Sequence, residues 1–115
     1  MKLRSTIFVC STVLLFLVSA CTKKGDLSFF VTDAQTGTPI SGAFVGLAGS
    51  LSDISNESYL RTATTESDGR VIFTDIEKGD YSYTVKIDNQ QYNFQSAVNL
   101  SFEGQNETIT TSVSN

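Results

Sequence analysis

A chain of 115 residues has room for one domain, and its formal charge of −4 at pH 7 sets it against nucleic acid and anionic lipid headgroups, both bound through arrays of Lys and Arg. No histidine occurs, which removes the commonest general base and the usual neutral metal ligand. Cys10 and Cys21, the two cysteines, supply neither a disulfide framework nor zinc-ligand spacing.

The opening "MKLRSTIFVCSTVLLFLVSAC" places Lys2 and Arg4 before an apolar stretch from Ile7 to Val18, followed by the small residues Ser19 and Ala20. This is the charged, apolar, small-residue order of a secretory signal peptide, and the stretch is shorter than the roughly 20 residues of a spanning helix. Val18-Ser19-Ala20-Cys21 resembles the lipobox of bacterial lipoproteins. The resemblance implies removal of residues 1–20, diacylglycerol on the Cys21 sulfur and acylation of the new amino terminus. Each buried CH₂ contributes about 0.8 kcal/mol and one chain holds only marginally, so several chains make the lasting anchor. An ordinary signal peptide with an incidental Cys21 is the alternative. Loss of Lys2 and Arg4 with the leader leaves six basic against 12 acidic residues, a charge of −6. Residues 21–25 then read as the lipidated cysteine and a polar tether, and residues 26–115 as the folded domain. Thr22, not Asp, follows Cys21; by the sorting rules of such lipoproteins this implies the outer membrane, on its periplasmic or its cell-surface face.

From Asp26 onward the apolar period is two. Leu27, Phe29 and Val31 alternate with Ser28, Phe30 and Thr32, and "DAQTGTPISG" then supplies turn residues. Ala43, Val45 and Leu47 take one face of the next strand, with Phe44 on the other. A polar loop, "AGSLSDISNES", leads to the strand "YLRTATT", the turn "ESDG" and the strand "RVIFTDI". After "EKGD", Tyr81, Tyr83, Val85 and Ile87 line one face of a long strand. Tyr92, Phe94, Val98, Leu100 and Phe102 share one parity, in a single strand or in two joined by a bulge near Gln95 and Ser96. Ile109, Thr111 and Val113 mark a last, edge strand. About seven strands with short, even turns and no helix after the leader predict an all-β, antiparallel seven-stranded β-sandwich.

"VTDAQTGTPISGAFVGL" followed by "TTESDGRVIFTDIEKGDYSYTVK" resembles the carboxypeptidase regulatory-like domain, a transthyretin-like (prealbumin-like) sandwich. Asp33, Thr36, Gly37, Pro39, Ile40, Gly42, Ala43, Val45 and Leu47 match the first half of its pattern. Thr65, Asp68, Gly69, Phe73, Ile76, Gly79 and Tyr81 match the second. The resemblance spans residues 27–88 and implies a fold, not a reaction, since that domain is not the catalytic part of the peptidases it accompanies.

Chemistry is sparse. Asp68, Asp75, Glu77 and Asp80 lie close in sequence, but at predicted turns, where Asp bonds its own backbone. Neither a carboxylate pair for catalysis nor a calcium site is assigned to them, and no metal or cofactor is expected. A related adhesin sandwich joins a Lys of its first strand to an Asn of its last. The predicted first strand, "LSFFVT", has no Lys, which sets that bond aside. Asn56, Asn99 and Asn106 head Asn-x-Ser/Thr triplets, which a bacterial secretion route leaves as chance. The outward-facing Phe30 and Phe44 form an exposed contact patch if their strands are neighbours; the alternative is that both are covered by the tether, the polar loop or a wider core. Asp53 and Asn56 in the polar loop complete the candidate partner contacts. The sequence thus predicts a lipid-anchored, non-catalytic binding or accessory module of the outer membrane, with an envelope protein or a glycan as partner. The alternative is a structural lipoprotein that pins an envelope complex by adding a strand at "ETITTSV".

Overall fold

The computed structural model describes residues 23–114. They form β1 (Lys24–Asp33), β2 (Phe44–Ala48), α1 (Leu51–Ser55), β3 (Arg61–Thr64), β4 (Arg70–Glu77), β5 (Gly79–Asp88), β6 (Asn93–Gln95), β7 (Val98–Phe102) and β8 (Glu107–Val113). One sheet has the order β4-β1-β8 and the other β3-β2-β5-β6, with β7 also on β5. Pairing is antiparallel throughout except between β1 and β8, which run parallel.

The period of two is what closes the two sheets on each other. Leu27, Phe29 and Val31 of β1 are fully buried and meet Val45 and Leu47 of β2 and Tyr83, Val85 and Ile87 of β5. At the centre, the Phe29 ring stands edge-on to Phe73 at 5.8 Å and tilted against Tyr83 at 5.0 Å, geometries that aromatic quadrupoles favour. On β4 the alternation slips. Gly25 pairs with Ile76 and Leu27 with Phe73, so β4 has one residue more than β1 between those pairs. Asp75 takes up this bulge at φ 56°, and the slip returns Ile76 to the core beside Val71 and Phe73.

β6 and β7 resolve the question of one strand or two. Lys86 pairs with Gln95 and Gly79 with Phe102, so six residues intervene on each strand and the register does not shift. They are one interrupted strand without a bulge, and the sandwich keeps its seven-strand plan. At the interruption Ser96 stands in for the ladder: its hydroxyl accepts from the Val85 N–H at 3.2 Å, and its backbone carbonyl accepts from the Thr84 hydroxyl.

Two expectations are corrected. The polar loop holds the helix α1, begun by Ser50, whose hydroxyl accepts from the Asp53 N–H at 3.1 Å. And β1 starts at Lys24, inside the expected tether, because the backbone of Gly25 lies against Gly104 and Gln105. A Cβ on Gly25 would stand 2.8 Å from the Gln105 carbonyl carbon. The Asp26 N–H donates to Asn106 Oδ1 at 2.9 Å and the Lys78 N–H to the Lys23 carbonyl at 2.9 Å. Lys24 therefore does stand on the first strand, though at its exposed start and paired in the ladder with Glu77. Residues 1–22, with Cys10, the leader and Cys21, lie outside the described residues. Among the described residues no helix is long and apolar enough to cross a membrane.

Candidate functional site

The turn residues among those that carried the family resemblance, Asp33, Thr36, Gly37, Pro39, Ile40, Thr65, Asp68 and Gly69, gather at one end of the sandwich, where the β1–β2 loop meets the β3–β4 turn. Asp33 Oδ1 accepts from the N–H groups of Gln35 at 2.8 Å and Thr36 at 3.1 Å, folding the loop so that Gly37 sits at φ 76°. Asp33 Oδ2 accepts from the Tyr92 hydroxyl at 2.6 Å. That bond holds the Asp33 carboxyl below its usual pKa and raises that of the Tyr92 phenol. Thr65, buried, donates its hydroxyl to the Ile40 carbonyl at 2.7 Å and accepts from the Ala43 N–H at 2.9 Å. Gly69 is held at φ 74°, and a Cβ there would lie 2.7 Å from the Val31 carbonyl oxygen. Asp68 accepts from the Arg70 N–H at 3.1 Å. These polar groups bond the backbone and one another, and they shape turns.

The expected contact residues do not form one patch. Phe30 lies on the outer face of the three-stranded sheet, half-buried, with the Arg70 guanidinium 4.1 Å from its ring centre. Phe44 lies on the outer face of the other sheet, also half-buried. The Lys86 ammonium is 5.1 Å from its ring centre, and Tyr59 stands edge-on at 5.4 Å. β1 and β2 are in different sheets, so the condition for a joint patch fails. Asp53 and Asn56 belong to α1, the first half-buried in its opening turn and the second exposed as its C-cap. Among the described residues no three Cys, Asp or Glu side chains converge into a set that could hold a metal ion.

α1 and Tyr59 make a partial third layer on the five-stranded sheet. α1 packs on β2 and β5 through the buried Ile54, and the Tyr59 ring covers Gly46, where a Cβ would meet it at 2.8 Å. Beside this layer runs an open groove of about 600 Å³, lined by Ser50 and Leu51 on one side and by Tyr81, Ser82, Asn99 and Leu100 on the other. Ser82 donates to Asn99 Oδ1 at 2.8 Å and fixes the amide on the groove floor. Leu51 is 42% exposed at its rim. Sequence reasoning missed Ser82 and Asn99 because alternation labels them only as the off-core face, and Leu51 because its stretch reads as a polar loop. The Ser50-x-x-Asp53 spacing was the available signal for the helix that builds the wall.

The sheet edges differ. On one flank β3 is short, and the Arg61 guanidinium donates to the Thr74 carbonyl of the bulged β4 at 3.1 Å. On the other flank, among the described residues, β8 pairs with β1 alone, and its second edge is open over seven residues. A free ladder of that kind is a template for another strand.

No family model matches the sequence, and no curated protein does. Solved structures do match in fold. The group B streptococcus pilus 2b backbone protein superposes with a TM-score of 0.65 at 18% identity, over 80% of this chain and 41% of that one. BcpA, the major pilin subunit of Bacillus cereus, gives 0.62 at 14% identity, over 81% of this chain and 30% of that one. The 5-hydroxyisourate hydrolase of Klebsiella pneumoniae gives 0.58 at 18% identity, over 83% of this chain and 91% of that one. This chain therefore spans less than half of either pilin and most of the hydrolase's length. At such identities the likeness is one of fold, and the fold is a transthyretin-like and pilin-like β-sandwich.

Proposed function

We propose that this chain is a lipid-anchored, non-catalytic binding or accessory module of the bacterial outer membrane, with a sandwich of the carboxypeptidase regulatory-like kind. The observation that carries the non-catalytic part is where the polar side chains go. Asp33, Thr65, Asp68 and Tyr92 all bond backbone or each other within turns, and the chain has no histidine to activate a nucleophile. Exposed contact surface remains, above all the groove beside α1. The anchor rests on the lipobox-like Val18-Ser19-Ala20-Cys21, and the sandwich begins within a few residues of that cysteine.

The groove combines apolar walls with a fixed amide and hydroxyls, and among the described residues Asp80 is the one charged side chain along it, a lining suited to an uncharged polar ligand such as a glycan segment. A second reading, assembly onto an envelope protein by strand addition, is favoured by the open edge of β8. Thermal melts against soluble envelope glycans, and recovery of the full chain from detergent-solubilised membranes, separate the two. A ligand at a hundredfold over its Kd adds about 2.7 kcal/mol, which raises Tm by roughly 10–20 °C in a domain of this size. Such a shift, abolished by Asn99→Ala, supports the groove. A stoichiometric protein partner lost on Thr108→Lys/Thr110→Lys supports the edge. Turnover of a substrate by the purified chain contradicts both.

A further inference from the structure

We infer that the open edge of β8 pairs with β8 of a second copy, antiparallel, about a two-fold axis through Thr110. The inference deepens the edge reading and rests on that edge being free. Among the described residues the other edges are blocked, short or broken: β4 is bulged at Asp75 with its Thr74 carbonyl engaged by Arg61, β3 has four residues, and the β6–β7 strand is interrupted at Ser96 and Ala97. β8 is the long, regular one, rich in β-branched residues and carrying a single charge, Glu107, at its start.

Self-pairing follows from the order of those residues. Turning Glu-Thr-Ile-Thr-Thr-Ser-Val about its middle sets Thr110 against Thr110, Ile109 against Thr111, Thr108 against Ser112 and Glu107 against Val113. No like charges meet, and apart from the end pair of Glu107 with Val113 the facing pairs are hydroxyl with hydroxyl or β-branched with β-branched, the combinations that stabilise antiparallel neighbours. The parity agrees as well. Thr108, Thr110 and Ser112 are exposed on the outer face, while Ile109 and Thr111 are half-buried toward the core. Opposed residues of an antiparallel pair share a face, so the half-buried rows of the two copies adjoin and Ile109 gains cover. The two three-stranded sheets then run on as one, β4-β1-β8 meeting its mate across the axis. The β6–β7 edge lies on the same flank, where Val98 is 40% exposed and comes to face the second copy.

Three variants of the full chain, each with one cysteine added, test this in native membranes under mild oxidation, read on non-reducing gels, with the wild-type chain as background for Cys21. Across the axis the two Thr110 Cα atoms stand about 5 Å apart, within disulfide range, whereas Thr108 and Ser112 are each about 14 Å from their own copies. The expected result is a cross-linked dimer for Thr110→Cys and none above background for Thr108→Cys or Ser112→Cys. No dimer for Thr110→Cys, or equal dimer for all three, overturns the proposal. Charge reversal gives a second readout by sedimentation in detergent. Thr108→Lys/Ser112→Lys opposes like charges twice and weakens association at least tenfold; Thr108→Lys/Ser112→Glu restores it. Equal association of the two also overturns it. A foreign strand on the same edge gives a stoichiometric partner and no Thr110→Cys dimer, so failure of self-pairing and failure of the edge reading are told apart.

Discussion

At the scale of single residues, the turn end of the sandwich shows how a short polar side chain substitutes for regular structure. Thr65 alone satisfies two buried backbone groups, the Ile40 carbonyl and the Ala43 N–H. Thr65→Val keeps the shape and strands both, at a cost of about 2–4 kcal/mol, whereas Thr65→Ser retains them and costs far less; urea melts of the two variants check this. Asp33 and Tyr92 form a second clamp, between the end of β1 and the β5–β6 turn. The Asp33 carboxyl titrates lower in the folded chain than its ordinary 3.8, so its contribution is present above that pH and is lost as pH falls through the folded value. The Tyr92 phenol titrates above its ordinary 10.0, so the same contact is full below that pH and is lost as pH rises through its folded value. Asp33→Asn is therefore expected to be less stable than the wild type at neutral pH and to close that gap in strong acid. A gap that is constant with pH would remove the clamp from the account. The turn residues were legible in the sequence because each has a local reason, a positive φ or an Asx turn. The partner of Asp33 was not, because Tyr92 is 59 residues away and its parity marks it only as core.

Elements tell a different story. Strand existence and parity came straight from the period of two: Leu27, Phe29, Val31, Val45, Leu47, Tyr83, Val85 and Ile87 are all buried as alternation requires. What alternation cannot convey is which strand lies beside which. Phe30 and Phe44 are both outward-facing as read, yet they lie on opposite sides of the molecule, because β1 and β2 join different sheets. Nor does it reveal backbone contact. Lys24 and Gly25 have no apolar pattern, and they enter β1 because glycine lets the chain close on the β7–β8 turn. The helix α1 is too short to stand on propensity and is held by its cap and by Ile54. Ser50→Ala is expected to cost about 1 kcal/mol locally and to speed amide hydrogen exchange across residues 51–58, with little change in the global Tm. An equal loss of protection in the core strands would show that α1 belongs to the main cooperative unit instead.

For the whole molecule, the fold supplies a rigid body with its first strand starting near the candidate anchor, a groove on one outer face and an open edge on one flank. A sandwich of this size buries one core, and Asp33, Thr65, Asp68 and Tyr92 are spent on its turns. The fold was legible as a class because seven alternating segments with short turns admit few packings. The contact surfaces were less so, since a groove and an edge are properties of neighbouring strands and not of any one segment. The central claim is that this body works from a membrane, held by Cys21. Fractionation of cells carrying the wild-type chain or Cys21→Ser tests it most directly. The account predicts wild-type chain in the outer-membrane fraction, released only by detergent, and Cys21→Ser chain in the soluble fraction. Cys21→Ser chain that stays with the membrane to the wild-type extent would contradict it.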